Sequence, residues 1–169
     1  EEELENLFTE NKLYHRSAIH LLTAIQSNCS PIICIEGNGK TVVNIEDYVT
    51  DKLILKNVLV KIPENYVISD LQSLELVNCE IESEALDFTI YEVNSVHLKN
   101  VSFNKCSEIR SIKIQQCLNV TLDSISIEDR EIHSKCLFDI EKVTNLYVNN
   151  FSLKDAKILR ANGFLGVAD

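Results

Sequence analysis

A three-beat apolar pattern recurs five times between Val43 and Leu153, and nothing else in the chain constrains the fold as strongly. Each beat is a pair of apolar residues separated by a single residue. The copies read Val43-Ile45, Leu53-Leu55, Val58-Val60; Tyr66-Ile68, Leu74-Leu76, Cys79-Ile81; Phe88-Ile90, Val96-Leu98, Val101-Phe103; Ile112-Ile114, Val120-Leu122, Ile125-Ile127; and Phe138-Ile140, Leu146-Val148, Phe151-Leu153. Alternation with period two marks a strand with one buried face. Three short strands per copy, repeated along the chain, predict a solenoid whose coils bury their inner faces against one another.

The spacing is rigid in two places and elastic in a third. Ile45, Ile68, Ile90, Ile114 and Ile140 lie 23, 22, 24 and 26 residues apart. From Leu55, Leu76, Leu98, Leu122 and Val148 to the last apolar residue of each copy is always five residues. From Ile68, Ile90, Ile114 and Ile140 to the next strand is always six, and only the first copy departs, needing eight. The slack gathers between the third strand of one copy and the first strand of the next, which predicts two tight corners and one loop-bearing corner. Just before the third strand stand Asn57, Asn78, Asn100, Ser124 and Asn150. Asn is the non-Gly residue that best tolerates a left-handed backbone, which a sharp corner needs. Coils stack about 4.8 Å apart, so these five read as a corner ladder, hydrogen-bonded up the column with side chains packed inward.

The stretches "NSVHLKNVSF", "LNVTLDSISI" and "TNLYVNNFSL" resemble the right-handed parallel β-helix of the pectin-lyase-like superfamily, from about Pro31 onward. In style and composition they are similar to β-helical regions of protist surface proteins and of bacterial adhesins. The fold implied is all-β: a right-handed parallel β-helix solenoid of about five to six coils. That architecture is shared by lyases, hydrolases, adhesins and spike proteins, so it does not by itself name an activity. Leucine-rich repeats are the rival, because "LQSLELVNCEI" fits their consensus. Their conserved Asn or Cys would fall at Val58, Cys79, Val101, Ile125 and Phe151, where only Cys79 fits, and they leave the Phe88-Ile90 type of pair unexplained.

The domain reading follows. Residues 1–30 form an acidic segment and an amphipathic capping helix, with Tyr14, Ala18, Leu21, Leu22 and Ile25 at helical spacing and Ser17 as N-cap. Such a helix would shield the open edge of the first coil. Residues 31–169 form the β-helix, entered through "PIICIEG" with Ile33 and Ile35 inward. "ILRANGFLGVAD" reads as a sixth coil stopping in mid-turn, and the chain is expected to continue.

Charge and chemistry narrow the function. A formal charge of −10 argues against nucleic acid and against anionic membranes, which favour a basic face, and no apolar run approaches a membrane span. "EGNGKT" lacks the first glycine of a phosphate-binding loop, because Cys34 stands there, and it precedes a strand rather than a helix; it reads as a Gly-rich turn. The outward residues of the middle strands are Ile54, Glu75, His97, Thr121 and Tyr147, followed by Lys56, Val77, Lys99, Asp123 and Asn149. Glycoside hydrolysis needs two opposed carboxyl groups, and the outward column Asn44, Val67, Thr89, Lys113 and Asp139 supplies none beside Glu75. No catalytic residue, cofactor site or metal site is assigned.

Four sequons occur, at Asn28, Asn100, Asn119 and Asn150. If Asn100 and Asn150 are committed to the ladder, Asn28 and Asn119 are the better glycan acceptors. Of six Cys, Cys79 and Cys117 read as core, while Cys29 with Cys34, and Cys106 with Cys136, are candidate disulfides whose geometry the sequence leaves open. The expectation is a non-enzymatic structural or adhesive domain of a larger secreted or cell-surface protein. It would act as a rigid spacer or assembly subunit, partnering further β-helix coils or copies of itself, with glycans as further partners. A fragment of a polysaccharide lyase or glycoside hydrolase is the first alternative and a carbohydrate-binding module the second.

Overall fold

The computed structural model describes residues 32–45, 50–127, 138–150, 152–153, 159–162 and 167–168, the last three ranges through their backbone alone. The expected capping helix, Asn28, Cys29 and Cys136 lie outside the described residues. Among the described residues eleven strands follow in order: β1 (Ile32–Asn44), β2 (Lys52–Lys61), β3 (Tyr66–Ser69), β4 (Ser73–Tyr91), β5 (Ser95–Gln115), β6 (Asn119–Ile127), β7 (Phe138–Glu141), β8 (Asn145–Asn149), β9 (Ser152–Leu153), β10 (Leu159–Asn162) and β11 (Val167–Ala168). Every pairing is parallel, and the main path runs β1-β2-β4-β5-β6-β8-β11. The described residues form an all-β parallel solenoid of about five turns.

Register follows the apolar alternation. Leu55, Leu76, Leu98, Leu122 and Val148 stack in one inward column, and Ile54, Glu75, His97, Thr121 and Tyr147 in the neighbouring outward one. A one-residue slip would turn every such leucine to solvent, so the buried face pins the pairing. The interior is one continuous cluster of Leu, Ile, Val, Phe and Cys side chains from Ile33 to Leu146. Burying each such side chain stabilises the coil by about 1.5–3 kcal/mol. Aromatic rings mark the passage into the first strand: Tyr66 stacks on Phe88 at 6.4 Å, and Phe103 meets Phe138 edge-on at 6.0 Å.

The structure corrects two readings. Val43 does not begin a first strand; it pairs with Val60, and the Ile45 amide donates to the Lys61 carbonyl, so this pair closes the third strand of the preceding coil. The eight-residue step in the first copy was the sign of that misassignment. The elastic corner is also not a loop in the coils of β4 and β5. Both strands run through it, turning Leu86, Cys106 and Ile109 into the core. Coil length grows there through bulges: Phe103 and Asn104 face Ile81 alone, and Arg110 is inserted between the partners of Leu86 and Asp87. A bulge adds a residue to one strand while leaving the flanking ladder paired.

Both tight corners are left-handed. Asn57, Asn78, Asn100, Ser124 and Asn150 all have φ between 48° and 57°. A second column, after the first strand, consists of Asp70, Glu92, Gln116 and Lys142, with φ of 60°, 54°, 55° and 55°. Of these only Asp70 is a usual turn residue, and the constant six-residue step is what marks the column in the sequence. Backbone amides keep the stack closed across that corner: Asp70 donates to Tyr91, Glu92 to Gln115 and Gln116 to Glu141.

Candidate functional site

The most regular side-chain arrangement is the Asn corner. Asn78 Nδ2 donates to Asn57 Oδ1 at 3.1 Å, and Asn100 Nδ2 donates to Asn78 Oδ1 at 2.8 Å. At the next coil the hydroxyl of Ser124 turns aside to donate to Asp123 Oδ1 at 3.0 Å, which also accepts from Asn149 Nδ2 at 3.1 Å. The expectation that these side chains pack inward is wrong: Asn78, Asn100 and Asn150 are exposed, because a left-handed corner directs them along the outer edge of the stack. Inward packing therefore does not set Asn100 apart from the other sequons. The amide nitrogen that would carry the sugar is the ladder donor.

The ladder stops at its N-terminal end for a visible reason. Opposite the single residue Asn57, β1 carries four residues, Gly37 to Lys40. Asn38 Oδ1 is turned into that loop, accepting from the Lys40 amide at 3.0 Å and from the Thr41 hydroxyl at 3.4 Å. Gly37 is needed there, since a Cβ would lie 2.5 Å from Thr41 Cβ. Gly39 has φ +83° with open space around it. The "GNGK" stretch is thus the Gly-rich turn that the sequence suggested.

Asn119 is exposed at the start of β6, with its Oδ1 accepting from Asn145 Nδ2 at 2.8 Å. Its side chain and that of Thr121 share one face of the strand, as residues two apart must. Cys34 carries a free, exposed thiol. Cys106 is fully buried, 3.5 Å from the Ile81 carbonyl, rather than displayed at a loop corner as expected. Cys79 and Cys117 are core residues as read, their Sγ atoms 3.4 and 3.3 Å from the carbonyls of Leu55 and Gln115. Burial pushes both of these thiols upward in pKa, against the smaller opposing effect of backbone hydrogen bonds.

The outward faces are laced between coils. Lys56 reaches Glu75 at 3.5 Å, Lys61 reaches Glu82 at 3.0 Å, and Lys105 reaches Glu80 at 2.6 Å. The hydrogen bond to Glu80 holds the Lys105 ammonium above its ordinary pKa. Arg110, the bulge residue, forks onto Glu108 at 3.1 Å and reaches Glu64 at 3.8 Å. Sequence reasoning missed one cluster. Ser111 donates to Asp87 Oδ1 at 2.5 Å, and Lys113 Nζ lies 3.9 Å from the same oxygen. The Arg110 bulge sets this register, bringing Ser111 opposite Asp87. His97 and Glu75 do stand in adjacent coils, as read. Among the described residues no three His, Cys, Asp or Glu side chains gather as a metal site.

No family model matches the chain, nor does any curated protein or solved structure.

Proposed function

We propose that this domain is a non-enzymatic structural element of the pectin-lyase-like β-helix type, serving as a rigid spacer or assembly unit of a secreted or cell-surface protein. The observation that carries the reading is where the outward polar groups are spent. The Lys56–Glu75, Lys61–Glu82 and Lys105–Glu80 pairs, the Asn57–Asn78–Asn100 ladder, and the Ser111–Asp87, Asn145–Asn119 and Asn149–Asp123 bonds all join one coil to the next. Groups committed to holding a stack together suit a stiff rod. A catalytic face would instead hold its acids and bases ready for substrate.

One experiment separates the readings. The chain is assayed for glycosidic bond cleavage and for β-elimination against a panel of acidic and neutral polysaccharides, and sedimentation velocity is recorded over a wide concentration range. Inertness towards every polymer with concentration-dependent association supports an assembly unit. Inertness with a monomer throughout supports a spacer. Release of reducing or unsaturated ends overturns the structural reading in favour of an enzyme, with the Asp87–Ser111–Lys113 cluster as the first place to mutate.

A further inference from the structure

The Gly37–Lys40 loop contains a chemically labile pair, and we infer that Asn38 is a site of spontaneous deamidation in the folded protein. The reaction is attack of the Gly39 backbone nitrogen on the side-chain carbonyl carbon Cγ of Asn38. The new N–Cγ bond closes a five-membered succinimide. The Cγ–Nδ2 bond breaks, and Nδ2 leaves as ammonia, with the Gly39 amide proton completing it. Water then opens the ring. Cleavage of the N–Cγ bond leaves an ordinary aspartate in place of Asn38, whereas cleavage at the Asn38 main-chain carbonyl yields an isoaspartyl linkage in which the backbone runs through Cγ. No oxidant or cofactor is required, and water is the only co-reactant.

Three features of the loop favour this step. The first is the nucleophile: Gly39 has no side chain to shield its nitrogen, and nothing lies within 4 Å of the place a Cβ would occupy. The second is the electrophile. Asn38 Oδ1 receives the Lys40 amide at 3.0 Å and the Thr41 hydroxyl at 3.4 Å. Donors already aimed at that oxygen stabilise the negative charge it gathers as the tetrahedral adduct forms. The third is position. Asn38, Gly39 and Lys40 are exposed, and they stand outside the β1–β2 register, which skips from Glu36 to Thr41.

The other corner Asn residues provide the contrast. Asn57, Asn78 and Asn100 are followed by Val58, Cys79 and Val101, whose side chains are buried in the core. The nitrogens that would have to leave from Asn78 and Asn100 are ladder donors. Deamidation at Asn38 replaces a neutral amide with a carboxylate close to Glu36. Its isoaspartyl form also lengthens the backbone at the one corner where β1 already departs from the one-residue rule.

The test holds the full chain at neutral and at mildly alkaline pH in water enriched in heavy oxygen. Peptide mapping by mass spectrometry then follows the amide of each Asn, with electron-based fragmentation distinguishing aspartate from isoaspartate. Asn162, which also precedes a glycine, is followed as its own peptide. The expected result is loss of the Asn38 amide with uptake of solvent oxygen, faster at the higher pH and complete before any loss at Asn57, Asn78 or Asn100. Gly39→Ala is expected to slow the loss, because its methyl shields the nitrogen. Retention of the Asn38 amide in the folded chain while the denatured chain loses it would overturn the inference. Conversion no faster than at Asn100, or unchanged in Gly39→Ala, would do the same.

Discussion

Replacing Lys142 with glycine should stabilise the protein, although the exchange removes a side chain and adds no contact. Lys142 is exposed and holds φ at 55°. A non-glycine residue in the left-handed region costs about 1–2 kcal/mol, while glycine returns about 0.5–1 kcal/mol of that through its greater freedom in the unfolded chain. The net gain is about 0.5–1 kcal/mol, and for a chain of this size a shift in Tm of about 2–4 °C accompanies each kcal/mol. Asn100 supplies the counterpart. Asn100→Gly removes the 2.8 Å bond to Asn78 and relieves the backbone, so the two effects nearly cancel. Asn100→Ala removes the same bond and keeps the left-handed cost that the parent already bears, for a loss of about 1 kcal/mol. Urea denaturation followed by far-ultraviolet circular dichroism measures all three against the unmodified chain. If Lys142→Gly were destabilising, or if Asn100→Gly cost as much as Asn100→Ala, the corners would not be strained and the argument would fail.

Leu98 is 1 % exposed, so Leu98→Asp should lose more than about 4 kcal/mol by placing an unpaired charge in a dry core. His97→Asp should lose no more than about 1 kcal/mol, since it sets a second carboxylate beside Glu75, and equal melting temperatures for the two would refute the register. Ser83 has a buried hydroxyl with no hydrogen-bond partner among the described residues, and Ser83→Ala should raise stability by about 1 kcal/mol in the same urea assay; a loss of that size would reveal a partner. Thiol titration of the folded chain should modify Cys34 and spare Cys79, Cys106 and Cys117 until it unfolds. Because burial raises the folded pKa of Cys79 and Cys117, their neutral form is favoured in the core. Their contribution to stability is complete below the unfolded thiol pKa and is lost as pH rises through the folded one, so alkaline melting curves should fall faster than those of a Cys79→Ala, Cys117→Ala double variant.

How much of this was legible follows from where the signals reside. The middle and third strands were read in correct register because alternation there is clean: Glu75, His97, Thr121 and Tyr147 form the outward column that their spacing implied. The Asn corner was legible because residue type and backbone preference coincide. The second corner was not, since Asp70, Glu92, Gln116 and Lys142 adopt the same φ with four different residue types. There the fold overrides local preference, and a constant spacing is its only trace. The path from third to first strand was misread for a related reason. Bulges at Asn104 and Arg110 break the period of two, so Cys106 looked like a loop cysteine although it faces the core. The Asp87–Ser111 contact depends on the same bulge and could not be counted out along the chain.

The corners also bear on how such a chain acquires its length. Because Ser95 stands directly over Asn119, residues 95–118 make up one whole circuit, and both ends of that circuit lie at equivalent points on the path. Excising them would join Asn94 to Asn119 and set Asn78 beneath Ser124, one left-handed corner beneath another. Duplicating them would lift every later circuit by one storey and rotate none of them out of phase. The molecule can therefore gain or lose whole storeys by events that cut at any matched pair of points, while its cross-section is inherited intact. Height and girth are separately heritable here, and a lineage of such chains can be tuned in reach without renegotiating its core.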